Sequence, residues 1–200
     1  MMSSARGLIR SFRLLVAVTA VAGCAATQPP ARMQPLSFAG RGAIALDAAT
    51  IQVVDQYRPP GARPNVEQLA PTAPAQAVRQ WVAERLRATG RGGSVKVMIL
   101  DASIVESELP RAEGFKSMFT TQQAQRYDGR IEIRIVGEAP ALRFSGSAQA
   151  AASRSTTVPE DISLAGREDT WNTLVRQMME DLDGRLQQAL RDGLGPMVRH

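Results

Sequence analysis

The chain is short of the residues that most often do chemistry. Its 200 residues hold one cysteine, Cys24, and one histidine, His200. That inventory excludes a His/Cys metal cluster, a disulfide framework, and a Ser-His-Asp or Cys-His catalytic centre. Lysine is nearly missing as well: of 24 basic residues only Lys96 and Lys116 are not arginine. Aromatic residues make up 4% of the chain, and no Lys/Arg run is interleaved with them. The pI near 10.3 therefore reflects arginine in place of lysine, and no nucleic-acid footprint is expected. No run of about 20 apolar residues occurs, the length a membrane-spanning helix needs.

What remains is an ordinary globular composition, 44% hydrophobic and 22% charged. It is enough for one domain or two small ones. Net charge is +5. Arg6, Arg10 and Arg13 lie in the first 23 residues, which hold no acid, so loss of that segment would leave +2. These arginines precede an apolar run of ten, Leu14 to Gly23. A charged start followed by a short apolar stretch is the pattern of a secretory signal.

Cys24 follows at once. Val21-Ala22-Gly23-Cys24 resembles the lipobox of bacterial lipoproteins. That resemblance implies cleavage before Cys24, lipidation of its sulfur (palmitate among the acyl groups) and acylation of its new amino group. Acyl chains contribute about 0.8 kcal/mol per buried CH₂, and more than one chain anchors stably. Ala25 stands where an Asp would resemble an inner-membrane retention signal, so the expected address is the periplasmic face of the outer membrane. Residues 25–36 contain three prolines and little apolar periodicity, which reads as a tether of about 40 Å at full extension. The expected organisation is signal peptide 1–23, lipidated tether 24–37 and a single α+β periplasmic domain 38–196.

Within the domain, residues 43–57 read as a strand with a break or bulge at Asp47-Ala48-Ala49. A proline-rich loop follows. Residues 74–89 read as a helix capped by Thr72, with Val78, Trp81, Val82 and Leu86 on one stripe. Residues 94–107 read as a second strand whose run Val97 to Leu100 suits an inner strand with both faces partly covered. Arg126–Gly137 alternates cleanly: Ile131, Ile133 and Ile135 on one side, Arg130, Glu132 and Arg134 on the other. Residues 142–155 give a fourth strand whose inner face (Leu142, Phe144, Gly146, Ala148, Ala150, Ala152) is unusually small, so something must pack closely on it. Residues 164–192 read as a long helix, with Gly184 a weak point. The order β-α-β-β-β-α predicts a two-layer α+β sandwich: a four-stranded mixed sheet with two helices on one face.

That order, with the lipobox and tether, resembles lipopolysaccharide-assembly lipoproteins and the auxiliary lipoproteins of ABC-type lipid transporters. Pro64–Glu67 through Trp81, and Ser153–Glu160, resemble an uncharacterised alphaproteobacterial lipoprotein group. Function is expected to be non-enzymatic: a binding or scaffold component with an envelope protein or lipid as partner, no cofactor and no nucleic acid. Lipopolysaccharide or lipid transport are the nearest analogues. A lipoprotein with its own pocket for a lipid or small ligand is the alternative, and a hydrolase using Asp101, Glu106 or Glu108 a remote one. Besides Cys24, two sets of residues stand out. Phe115, Met118 and Phe119 lie on the connection after the second strand, as a partner contact or a small satellite core. Arg130, Arg134 and Arg143, with Arg154 nearby, are expected on the polar sheet face, as anion ligands or as a solvated surface. Trp81 and Trp171 are expected in the core, and the acids at 160–161 and 168–169 suit a helix start.

Overall fold

The computed structural model describes residues 35–110 and 123–199, all within one compact unit, Met33–His200. Its elements are β1 (Ile44–Leu46), β2 (Thr50–Asp55), α1 (Pro74–Arg85), β3 (Leu86–Ala88), β4 (Ser94–Glu108), β5 (Gln123–Ala139), β6 (Phe144–Pro159), α2 (Leu164–Leu194) and β7 (Val198–Arg199). The large sheet has the order β2-β4-β5-β6, with β2 parallel to β4 and the others antiparallel. A small sheet, β3-β1-β7, was not foreseen. The fold is an α+β sandwich, with α1 and α2 against one face of the large sheet.

The stretch expected to be one strand divides between the two sheets. Leu46 ends β1, paired with β3, and Thr50 begins β2, paired with β4. Asp47–Ala49 makes the switch: Gly90 N–H donates to Ala48 C=O and Ala49 N–H reaches the Gly92 and Gly93 carbonyls. Gly90 passes so close to Asp47 and Ala48 that a Cβ there would strike their backbone. The first helix is shorter than its periodicity implies. It stops at Arg85 because residues 86–88 pair with β1. Thr72 does not cap it; Ala73 holds the cap position with no side-chain bond, and Pro74 opens the first turn.

β4 and β5 put Val95, Val97, Ile99, Ile104, Tyr127, Ile131, Ile133 and Ile135 onto the helix face, all buried. Both faces of the Val97–Leu100 run are partly covered: Val97 and Ile99 are buried, Met98 and Leu100 half-buried. A register shift between Ile99 and Asp101 interrupts the alternation, so that the buried positions pass from Val95, Val97 and Ile99 to Ala102, Ile104 and Glu106, while Met98 turns to the open face. Trp81 and Trp171 are buried, as their stripes predict. The small inner face of β6 is real for Ala148, Ala150 and Ala152. Leu142 lies in a 3-10 turn before β6 and is 48% exposed, so it does not belong to that face. α2 runs unbroken past Gly184, which faces open space. At its far end Gly193 and Gly146 bring helix and strand backbones into direct contact. Ser163 Oγ caps α2 by accepting from Gly166 N–H at 3.1 Å.

Candidate binding surfaces

The arginines singled out by the sequence do not converge. Arg130 and Arg134 stand on the open face of the large sheet, where period-2 alternation puts them. There they are held in a polar chain: Arg130 bonds Glu132 at 2.5 Å and lies 3.4 Å from Asp101, while Gln149 bridges Glu132 (2.6 Å) and Arg134 (2.9 Å). The Arg130 hydrogen bond keeps the Glu132 carboxyl below its ordinary range. Arg143 sits in the β5–β6 turn in the left-handed region, φ 48°, and is exposed. Arg154 points to the helix side instead and bonds Asp181 of α2 through two nitrogens, at 2.7 and 2.9 Å. It is a strut between β6 and α2. Cys24, Phe115, Met118 and Phe119 lie outside the described residues.

Of the acids considered for hydrolysis, Asp101 is separated from Glu106 by the same alternation, and Glu108 is exposed at the very end of β4. Asp101 is on the open face, whereas Glu106 is buried on the helix face, bonded by Arg63 at 2.6 Å. They cannot oppose each other across a cleft. Among the described residues no group of three or more His, Cys, Asp or Glu side chains could hold a metal ion. Near Glu106, Arg167 donates to the Tyr127 hydroxyl at 2.9 Å. A second buried acid, Glu67, accepts from the Tyr57 hydroxyl at 2.7 Å; burial first, and then this carboxylate, pushes the Tyr57 hydroxyl well above its ordinary value. These clusters pin the loop at 62–70 beneath β4, where Asn65 bridges to Val105.

The strongest concentration of chemistry lies at the other end, where the small sheet meets the ends of both helices. Asp183 of α2 is 1% exposed and takes four donors. Its Oδ1 accepts from Trp81 Nε1 (2.7 Å) and Arg85 Nε (2.9 Å); its Oδ2 accepts from Arg41 (2.9 Å) and Gln187 (3.2 Å). Burial alone would raise the Asp183 carboxyl. The bonds from Trp81, Arg85 and Arg41 outweigh it and hold the carboxyl below its usual range. Arg85 is only 2% exposed and also donates to the Arg41 carbonyl at 2.6 Å. Beside this cluster is a cavity of about 250 Å³ whose walls include Arg41, Arg85, Arg191 and Arg199, together with Ile44, Leu190 and Val198. Arg199 is paired with Asp47 at 2.7 Å, and Arg191 donates to Gln188 at 2.8 Å.

The sequence did carry a signal for this cluster, and the apolar-stripe reading passed over it. Arg85 falls four residues after Trp81, on the buried stripe of α1, and Asp183 falls between Leu182 and Leu186 on that of α2. A charge on a buried stripe at helical spacing implies a buried partner. Arg41 and Arg199 carry no such signal, because the 3-10 turn Ala39–Arg41 and the two-residue β7 are too short for periodicity.

No protein-family profile matches the chain, and no curated protein does. Among solved structures it is similar to rare lipoprotein B from Shewanella oneidensis, at 10% identity over 70% of this chain and 92% of that one, TM-score 0.35. It is also similar to a PelC dodecamer from Paraburkholderia phytofirmans, at 12% identity over 70% and 91%, TM-score 0.24. Likenesses this remote do not enter the functional argument.

Proposed function

We propose that the protein is a lipid-anchored, non-enzymatic binding component of a bacterial cell envelope, held through Cys24 at the periplasmic face of the outer membrane. The observation that carries the reading is the lipobox Val21-Ala22-Gly23-Cys24 at the end of a charged-then-apolar leader. Two further features support it. The proline-bearing stretch read as a tether ends in residues of the core, since Leu36 and Phe38 are both buried and the domain begins at Leu36 or before, ahead of the expected residue 38. The residue inventory, with its single histidine at position 200, leaves little to build an active centre from. Lipopolysaccharide assembly or lipid transport is the setting that the order of elements resembles, and an envelope protein or lipid is the partner class.

The test is metabolic labelling with an alkyne-bearing palmitate, followed by membrane flotation, on the wild-type chain and Cys24→Ala. The expected result is label and outer-membrane density for wild type, with both lost in Cys24→Ala. A wild-type chain that takes no label and stays in the soluble fraction would overturn the proposal. Native purification of the lipidated protein then identifies what accompanies it. A stoichiometric envelope protein supports the scaffold reading, and bulk phospholipid alone counts against it.

A further inference from the structure

We infer that the cavity between the small sheet and the C-terminal half of α2 is a binding site for a phosphomonoester, the phosphate being gripped by arginines and its carbon stem lying on an apolar wall. The inference rests on the described residues and is independent of whether Cys24 is lipidated. Three observations carry it.

The first is charge. Four arginines line the cavity, and among the described residues no carboxylate does. Two acids stand behind them, Asp183 for Arg41 and Arg85, and Asp47 for Arg199. Four cations against two anions leave a surplus of two positive charges. A phosphomonoester carries about −1.5 to −2 at pH 7. It matches that surplus; a carboxylate supplies half of it.

The second is preorganisation. Arg85 is buried, and its Nε is fixed on Asp183, which is itself saturated by four donors. The Arg41 carbonyl takes a second Arg85 nitrogen. A planar guanidinium locked this way presents its remaining N–H groups in a fixed fork, and such a fork fits phosphate oxygens in pairs. Little side-chain entropy is left to lose on binding.

The third is size and wall. The cavity, about 250 Å³, falls below the range of about 300–1,000 Å³ that houses drug-sized ligands. It takes a head group and the first carbons of its stem, not a whole lipid. Ile44, Leu190 and Val198 supply the apolar side. A lipid phosphate and a free phosphorylated metabolite share this chemistry.

The experiment uses the full-length lipidated protein in neutral detergent. Glycerol 3-phosphate is titrated calorimetrically. In a parallel arm, micelles are doped with phosphatidic acid or, as control, with phosphatidylcholine. The variants are the double substitution R191Q/R199Q, which leaves the Asp183 cluster intact, and Arg130→Gln on the open sheet face. Circular dichroism verifies that both fold. The expected result is saturable binding of glycerol 3-phosphate tighter than about 1 mM, weakened by salt. It should weaken at least tenfold in R191Q/R199Q and not change in Arg130→Gln. A response to phosphatidic acid with the same arginine dependence identifies the source as a lipid head group. Binding of glycerol 3-phosphate without that response identifies a free phosphomonoester. No saturable binding in either arm, or equal binding by wild type and a folded R191Q/R199Q, would overturn the inference.

Discussion

At the scale of single residues, Asp183 decides more than any other side chain. It fixes Arg85, Arg41 and the Trp81 indole at once. Removing one partner of a buried ion pair leaves an uncompensated charge and costs about 3–5 kcal/mol. Asp183→Ala should therefore destabilise by that amount in urea denaturation. Asp183→Asn keeps an acceptor for Trp81 and Arg85 but turns the oxygen facing Arg41 and Gln187 into a donor, so it should recover only part of the Ala loss. If the two substitutions cost the same, the charge is what matters and the indole bond contributes little. The pH dependence follows from the same carboxyl. Because folding lowers it, its contribution is complete above the unfolded aspartate value of about 3.9 and is lost as pH falls through the lower, folded value. Acid unfolding of the wild type should therefore steepen below about pH 4, and Asp183→Asn should show a shallower limb over that window. Identical acid limbs would mean that the carboxyl is not held below its ordinary range.

Among the elements, the contact between β6 and α2 depends on what is missing from it. A Cβ at Gly193 would run into the Ser147 carbonyl, and one at Gly146 into the Gly193 carbonyl. Backbone cannot yield as a side chain can, so Gly193→Ala should push the end of α2 off the sheet and cost about 1–3 kcal/mol. Gly129 is the contrast. A Cβ there meets side chains and no backbone: the Met178 end at 2.7 Å, a flexible thioether that can move aside, and Leu174 Cδ2 at 3.2 Å. Gly129→Ala should cost under about 1 kcal/mol, and thermal melts of the two variants compare them directly. If Gly129→Ala proves the worse, the close approach has been misplaced. The sequence announced this face through its run of Gly and Ala in β6, and it announced both helices through their stripes. What it could not announce was pairing at a distance. The divided first strand, the three-residue β3 and the two-residue β7 owe their state to one another and not to their own residues. The same limit hid the arginine cavity. Its walls come from segments around residues 41, 85, 191 and 199, which only the small sheet and the two helix ends bring together. Arg130 and Arg134, which alternation did make visible, are tied into a polar chain along the open face.

For the whole molecule, the proposed anchor at Cys24 would act on the proposed phosphate site. Arg41 follows Cys24 by 17 residues, so the cavity can stand no more than about 60 Å from the Cys24 sulfur, at 3.3–3.6 Å per residue. A domain held that close meets membrane head groups at the effective concentration set by its tether, in the millimolar range for short flexible connections. A site of modest affinity is then occupied on the membrane although it would be empty in dilute solution. This predicts a difference between the anchored and free forms of one chain. Reconstituted in vesicles containing phosphatidic acid, the Cys24-anchored protein should protect the amides of β1 and β7 from hydrogen exchange more than Cys24→Ala does with the same vesicles. R191Q/R199Q should abolish that difference without releasing the protein from the membrane. Protection that survives R191Q/R199Q would mean that anchoring orders the small sheet by itself. Protection equal in the anchored and Cys24→Ala chains would mean that the tether adds nothing to an affinity the cavity already has.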